Sequence, residues 1–208
     1  MSSDKKNTRE RGMIPETASV VFHSVCGNVF LMAQALNSSL NSHGISSTLY
    51  RVPDRDSESL RTDFPVIDEY YDALLEVPEI TPEELTQSDL LALGSPTYFG
   101  NVSGQMKLFM DRFAPLWESA SFRGTRLLPF TSVGTPQGGG DRCLEMIRVF
   151  GTHMGMLSLP FPADLTPAQD QCAYGFLHYS GATAETRPGK KDFSPMESMA
   201  ELISQGLF

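Results

Sequence analysis

The 208-residue chain is 40% hydrophobic and 20% charged, the balance of a globular domain with a buried core. Its formal charge of −9 disfavours nonspecific nucleic-acid binding, and no apolar run approaches the roughly 20 residues of a membrane span. The opening MSSDKKNTRERG lacks the apolar core of a signal peptide, so a cytoplasmic protein with no membrane span and no nucleic-acid partner is expected.

Residues 1–17 are polar, contain Pro15 and show no period, which predicts an N-terminal arm ahead of one domain over residues 18–208. Val20, Val21 and Phe22 form a first strand. After the turn HSVCGN, a stripe of Val29, Met32, Ala33, Leu36 and Leu40 predicts a helix ending near Gly44. Residues 48–52 read as a second strand, followed by an acidic insert. Between Asp54 and Asp89 stand twelve Asp or Glu and only Arg55 and Arg61 as bases, a local −10 that leaves the remainder near neutral. The insert reads as a solvated surface excursion, with a docking patch for a basic partner as the alternative.

Thr81, Pro82 and Glu84 make a capping box that should open a short helix before the third strand, Leu90, Leu91 and Leu93 up to Gly94. Ser103 opens a helix whose core stripe is Met106, Phe109, Met110 and Phe113, and Pro115 should end it near Ala114. Residues 126–133 form a fourth strand, GTPQGGGD its loop, and Cys143, Ile147, Phe150 and Met154 the stripe of the next helix. Residues 156–159 give a fifth strand. Ser194, Pro195 and Glu197 repeat the capping pattern to open a last helix with Leu202 and Ile203. Strands alternating with helices predict an α/β fold with a parallel sheet covered on both faces.

Three loops then fall at one edge of the sheet, where such folds bind ligands. In the first, Ser24 and the backbone N–H groups up to Val29 suit a phosphate at a helix N-terminus, with Gly27 allowing close approach; the alternative is a plain turn capped by Asn28. A nucleotide P-loop is absent, and a cysteine phosphatase would need arginine where Met32 stands. The loop after the third strand, SPTYFGN, offers two aromatic rings to a flat, polar-edged molecule such as a flavin. The glycines of the third loop suit close backbone approach, or else a flexible surface loop. No metal site is expected: Cys26, Cys143 and Cys172 have no CxxC spacing, and His23, His43, His153 and His178 have no ligand spacing.

The block SPTYFGNVSGQMKLFMDR, with HSVCGN upstream and TSVGTPQGGGD downstream, resembles the flavodoxin-like NAD(P)H:quinone oxidoreductases of the WrbA type over roughly residues 18–160. The resemblance implies a flavodoxin-like doubly wound five-stranded sheet with strand order 2-1-3-4-5, the order of flavodoxin itself. It implies FMN as cofactor and NAD(P)H as co-substrate. Ser24, Val25, Cys26, Gly27, Asn28 and Val29 would cradle the phosphate. Pro96, Thr97, Tyr98 and Phe99 would line the isoalloxazine, with Gly100 and Asn101 supporting the turn. Ser132, Val133, Gly134, Thr135, Gly138 and Gly139 would close the other edge. It also places Tyr98, Trp117 and His153 near a quinone-like acceptor and implies a homo-oligomer, a dimer or tetramer.

The chain departs from that family at several positions. Cys26 stands where a tyrosine is usual, Tyr98 replaces an arginine, and His153 is followed by Met154 in place of a second histidine. The glycine loop carries an extra Pro136 and Gln137, and TAETRPGKKD replaces a DGSR-like segment. The expected activity is two-electron transfer from NAD(P)H through FMN to a quinone or similar small molecule. The alternatives are a flavodoxin-type electron carrier with a protein partner, and a flavodoxin-like binding domain that has lost FMN.

Overall fold

Two apolar runs that are buried on both faces set the centre of the sheet, as expected of parallel strands that helices cover from either side. The computed structural model describes residues 14–61, 65–165 and 172–208. The central strands are β3 (Leu90–Pro96) and β4 (Arg126–Val133), with β1 (Thr17–Phe22) and β2 (Ser46–Arg51) on one side. The order is β2-β1-β3-β4-β5, all parallel, with β5 (Leu157–Ser158) against the start of β4. This is the flavodoxin-like order that the resemblance implies.

A sixth strand, β6 (Phe176–Tyr179), has no counterpart among the strands expected from the sequence. Arg126 and Leu127 pair with β5, while residues 130–133 of the same strand pair with β6. Since β3 occupies the other side of β4 along its length, β5 and β6 form two halves of one edge. FLHY buries only Phe176 and His178, too little for a period-2 signal to stand out.

Helices α1 (Asn28–Ser42) and α7 (Lys190–Ser204) cover one face, where Phe22, Met32, Leu36, Met196 and Met199 share a core. On the other face α4 (Gly104–Asp111) and α6 (Gly140–His153) pack Met106, Phe109, Cys143 and Ile147 onto Val21, Leu91 and Leu93. The remaining helices are short: α2 (Ser57–Leu60) and α3 (Tyr71–Glu76) in the acidic insert, and α5 (Ala114–Glu118).

Several boundaries differ from the sequence expectation. Thr17, assigned to the N-terminal arm, is the first residue of β1; residues 1–13 of that arm lie outside the described residues. Pro115 does not end a helix. The helix from Ser103 stops at Asp111, and Pro115 sits in the first turn of α5, where a missing N–H costs nothing. At Thr81 the Glu84 carboxylate accepts from both the Thr81 amide and hydroxyl, so the threonine hydroxyl caps nothing, and only a 3₁₀ turn over Glu84–Gln87 follows. The last helix begins before Ser194. The Gly189 amide donates to Asp192 Oδ2 at 2.9 Å, and Asp192 Oδ1 lies 3.0 Å from Nδ1 of buried His178, so a tertiary contact with β6 sets the helix start and leaves Pro195 inside.

The acidic insert is not wholly a solvated excursion, since Ile67, Leu74, Ile80 and Leu85 are buried and the insert returns to the sheet through a bridge between Arg51 and Glu79. Ser103, where the sequence places the start of this helix, caps it: its hydroxyl accepts from the Met106 amide at 3.2 Å, and its own amide donates to Ser95 Oγ at 2.9 Å. Ser103→Ala removes this buried cap and should cost about 1–2 kcal/mol in urea denaturation. A loss below a few tenths would show that the cap does not hold α4.

Candidate functional site

Because every crossover is parallel, the loops after β1, β3 and β4 all open at the carboxyl edge of the sheet. The first of them is unusual in its backbone. The amides of residues 24–30 make no hydrogen bond to any described residue, although most of these residues are buried; the first bond of the helix is Leu31 N–H to the Gly27 carbonyl at 2.9 Å. Gly27, with φ of +88°, is the N-cap, in place of the alternative in which Asn28 caps a plain turn, and no side chain caps α1. Asn28 instead turns its amide onto the Ala184 carbonyl at 3.0 Å. The result is a row of N–H groups at the positive end of a 15-residue helix, an arrangement suited to an anion.

The loop after β3 is a tight turn. Tyr98 and Asn101 exchange backbone hydrogen bonds of 2.9 and 3.0 Å, and both residues between them have positive φ, +52° at Phe99 and +72° at Gly100. A two-residue turn of this kind favours Asn-Gly; here a fully exposed phenylalanine takes the strained position. This loop and the next one touch directly. The Thr97 amide donates to the Ser132 carbonyl at 2.9 Å, the Thr97 and Thr131 hydroxyls are 2.8 Å apart, and Gly139 (φ +80°) approaches so closely that a Cβ there would stand 2.8 Å from Gly100 Cα. Residues 24–29, 96–101 and 132–139 thus share one edge, the last two in contact.

Trp117 and His153 do not join them. Both are exposed, and both lie toward the opposite edge: α6 ends beside Leu127 at the start of β4, and α5 leads into the turn preceding β4. A crossover helix runs antiparallel to its strands, so a residue near its C-terminus returns to the far edge of its own sheet. Within one chain, Tyr98 alone of the three acceptor-side candidates sits with the loops.

Beside this edge lies a buried pair that no sequence motif announces. His23 Nε2 lies 2.9 Å from Asp54 Oδ2, and the Asp54 carboxylate also receives the Asp56 amide at 2.9 Å and Gln105 Nε2 at 3.4 Å. Burial pushes the Asp54 carboxyl up, but the bonds from His23 and the Asp56 amide outweigh it and hold it below the usual carboxylate range. His23 Nδ1, on the other side of the ring, is buried without a partner among the described residues. In the sequence Asp54 is no more than the first acid of the insert. Nearby, Tyr98 keeps part of its ring exposed, yet burial of the phenol, with Cys26 and Asp54 adding to it, pushes its pKa up to about 12. Tyr98 therefore holds its proton at neutral pH.

Fold and edge together define a flavodoxin-like protein with a row of N–H groups beside an aromatic loop. The chain belongs to the NADPH-dependent FMN reductase family, whose model matches residues 23–163. It is 38% identical over 145 residues to a probable NAD(P)H dehydrogenase (quinone) of Arabidopsis thaliana, covering 68% of this chain and 50% of that protein, so it spans about half the relative's length. It is 30% identical over 198 residues to an NAD(P)H dehydrogenase (quinone) of Geobacter metallireducens, covering 89% and 95% of the two chains. Among solved structures, the WrbA-like flavodoxin of Agrobacterium tumefaciens superposes with a TM-score of 0.63 at 18% identity, over 91% of this chain and 96% of that one, and supports the fold.

Two outcomes are expected from this geometry. Phe99→Asn relieves the left-handed strain and should stabilise the protein by roughly 0.5–1 kcal/mol in urea denaturation while slowing turnover; equal or lower stability would mean that the turn is not strained. For Asp54 the lowered folded pKa means stability that is present above the ordinary value of 3.8 and lost as pH falls through the folded value. Asp54→Asn should accordingly be less stable than wild type at pH 7, with the gap closing in acid; a gap independent of pH would remove the carboxylate's charge from the account.

Proposed function

We propose that this chain is an FMN-dependent oxidoreductase that moves two electrons from NAD(P)H through FMN to a quinone or similar small acceptor, with residues 18–208 as the FMN-binding domain. The observation that carries the reading is the run of amides over residues 24–30, at the open end of α1, that have no partner among the described residues. Buried N–H groups are ordinarily paired, and a phosphate is the natural partner for a row of them. The relatives in Arabidopsis and Geobacter, a probable NAD(P)H dehydrogenase (quinone) and an NAD(P)H dehydrogenase (quinone), support the same activity.

In this reading Ser24, Val25, Cys26, Gly27, Asn28 and Val29 hold the phosphate, while residues 96–101 and 132–135 with Gly138 and Gly139 flank the ring system. FMN bound there supplies the two-electron chemistry. The chain's part is placement. Backbone N–H groups near the ring would stabilise negative charge developing on it, and no strong general base is needed. Tyr98, protonated at neutral pH, can donate a hydrogen bond from Oη to an acceptor oxygen without surrendering its proton.

A cytoplasmic homo-oligomer, dimer or tetramer, completes the reading. Leu108, Trp117, Met146 and Val149 leave an exposed apolar surface on the helices of the α4 and α6 face, and no helix among the described residues is long and apolar enough to cross a membrane. The insert's local −10 favours a second reading, an electron carrier docking a basic protein.

Anaerobic titration separates the readings. The purified protein is expected to be yellow, its visible flavin band to bleach with NADH or NADPH, and the band to return on adding benzoquinone. Flavin that stays oxidised with both nucleotides would sink the reductase assignment and leave the carrier.

A further inference from the structure

The first loop is gripped from outside by two segments distant in sequence. From the loop after β6, Arg187 Nη1 donates to the Cys26 carbonyl at 2.5 Å and to Asn28 Oδ1 at 3.0 Å. Its Nη2 donates to Glu69 Oε2 of the acidic insert at 2.5 Å, and its guanidinium carbon lies 4.8 Å from the centre of the Tyr70 ring. Tyr70 in turn packs on Gly27, so tightly that a Cβ there would fall 2.2 Å from the ring. Ala184, in a left-handed conformation at φ +60°, presents its carbonyl to Asn28 Nδ2.

These contacts act on the orientation of the peptides. In a trans peptide the carbonyl and the following N–H point in opposite directions. Holding the Cys26 carbonyl toward Arg187 therefore turns the Gly27 N–H away from it, toward the side left open for an anion. The bond to Asn28 Oδ1 and its partner bond to Ala184 fix the first residue of α1 in the same way. Glu69 occupies the outer edge of the guanidinium, so that the inner edge stays on the loop; the bond to Arg187 holds the Glu69 carboxyl below the usual carboxylate range. Tyr70 fills the space that a side chain at position 27 would take. A lysine, with one compact ammonium, cannot bridge Cys26, Asn28 and Glu69 as a planar fork does.

We propose that Arg187 is the positioning residue of the phosphate cradle, and that Glu69 and Tyr70 make the acidic insert the second jaw of a clamp that sets the direction of its N–H groups. The proposal rests on the reading of residues 24–29 as the FMN phosphate site, and it gives the insert a part in cofactor selection apart from any docking partner. It predicts discrimination: the clamp matters for a ligand that carries a phosphate and not for the same ring system without one.

The test is fluorescence-quenching titration of the flavin-free protein with FMN and with riboflavin. Wild type should prefer FMN strongly. Arg187→Gln should weaken FMN about tenfold or more, the loss of one or two charge-assisted hydrogen bonds' worth of ordering, and leave riboflavin unchanged. Arg187→Lys should fall between, and Glu69→Gln, an exposed change that does not threaten the fold, should weaken FMN about threefold by freeing the outer edge of the guanidinium. FMN affinity within twofold of wild type in Arg187→Gln overturns the proposal, as does an equal loss of both flavins, which would mark Arg187 as a general structural residue. A wild-type chain that takes up FMN no better than riboflavin overturns the phosphate-site reading itself, and the clamp with it.

Discussion

A row of buried backbone N–H groups with nothing to bond is expensive, and a fold keeps one only where something else satisfies it. The amides of residues 24–30, most of them in buried residues, have no partner among the described residues. Their direction cannot come from hydrogen bonds on the N–H side, so the loop must be held by its carbonyls and side chains from behind. Arg187 and Ala184 do this, and the segment bearing them is itself fixed by His178, whose Nε2 lies 2.9 Å from the Thr186 carbonyl while Nδ1 faces Asp192 of α7. The sixth strand, the last helix and the cradle are thus one mechanical unit.

The acidic insert belongs to the same unit. Its net charge suggests a surface feature, but two of its acids serve the interior edge. Asp54 binds His23 at the end of β1 and Gln105 in the first turn of α4, so it ties the first loop to the helix that follows the aromatic loop. Glu69 binds Arg187 across the first loop. The insert therefore grips the cradle at both ends, and its apolar residues Ile67 and Leu74 give it the packing to do so. What remains for a basic partner is the exposed remainder of its charge.

Much of this fold is legible in the sequence because parallel strands covered on both faces read as continuous apolar runs: residues 126–133 come out with the bounds of β4, and the start of α4 near Ser103 follows from the helical stripe behind it. The three loops are legible for the same reason, since alternation alone puts them at one edge. What escapes is set by contacts that local pattern does not encode. His23 meets Asp54 across 31 positions and Arg187 meets Cys26 across 161, and neither arginine nor aspartate in those segments carries a motif. The last helix is misplaced because Ser194 and Pro195 form a better local cap than Gly189, while the His178–Asp192 contact decides the start. At Thr81 the capping residues are right and the helix is not, because Glu84 takes both donors of Thr81 for itself.

Trp117 and His153 join two expectations that look separate. The family resemblance assigns them to the acceptor side of the flavin, and it also implies a homo-oligomer. In this fold a residue near the end of a crossover helix is carried to the edge away from the loops, so neither side chain can serve the cradle of its own chain. Trp117 is exposed, as are Leu108, Met146 and Val149 on α4 and α6. Phe99, at the opposite edge, is fully exposed and held in a left-handed turn, so its side chain gains nothing from the chain's own packing. The loops at the carboxyl edge are held to one another by their own contacts, Thr97 to Ser132 and Gly139 to Gly100, and among the described residues neither Trp117 nor His153 enters those contacts.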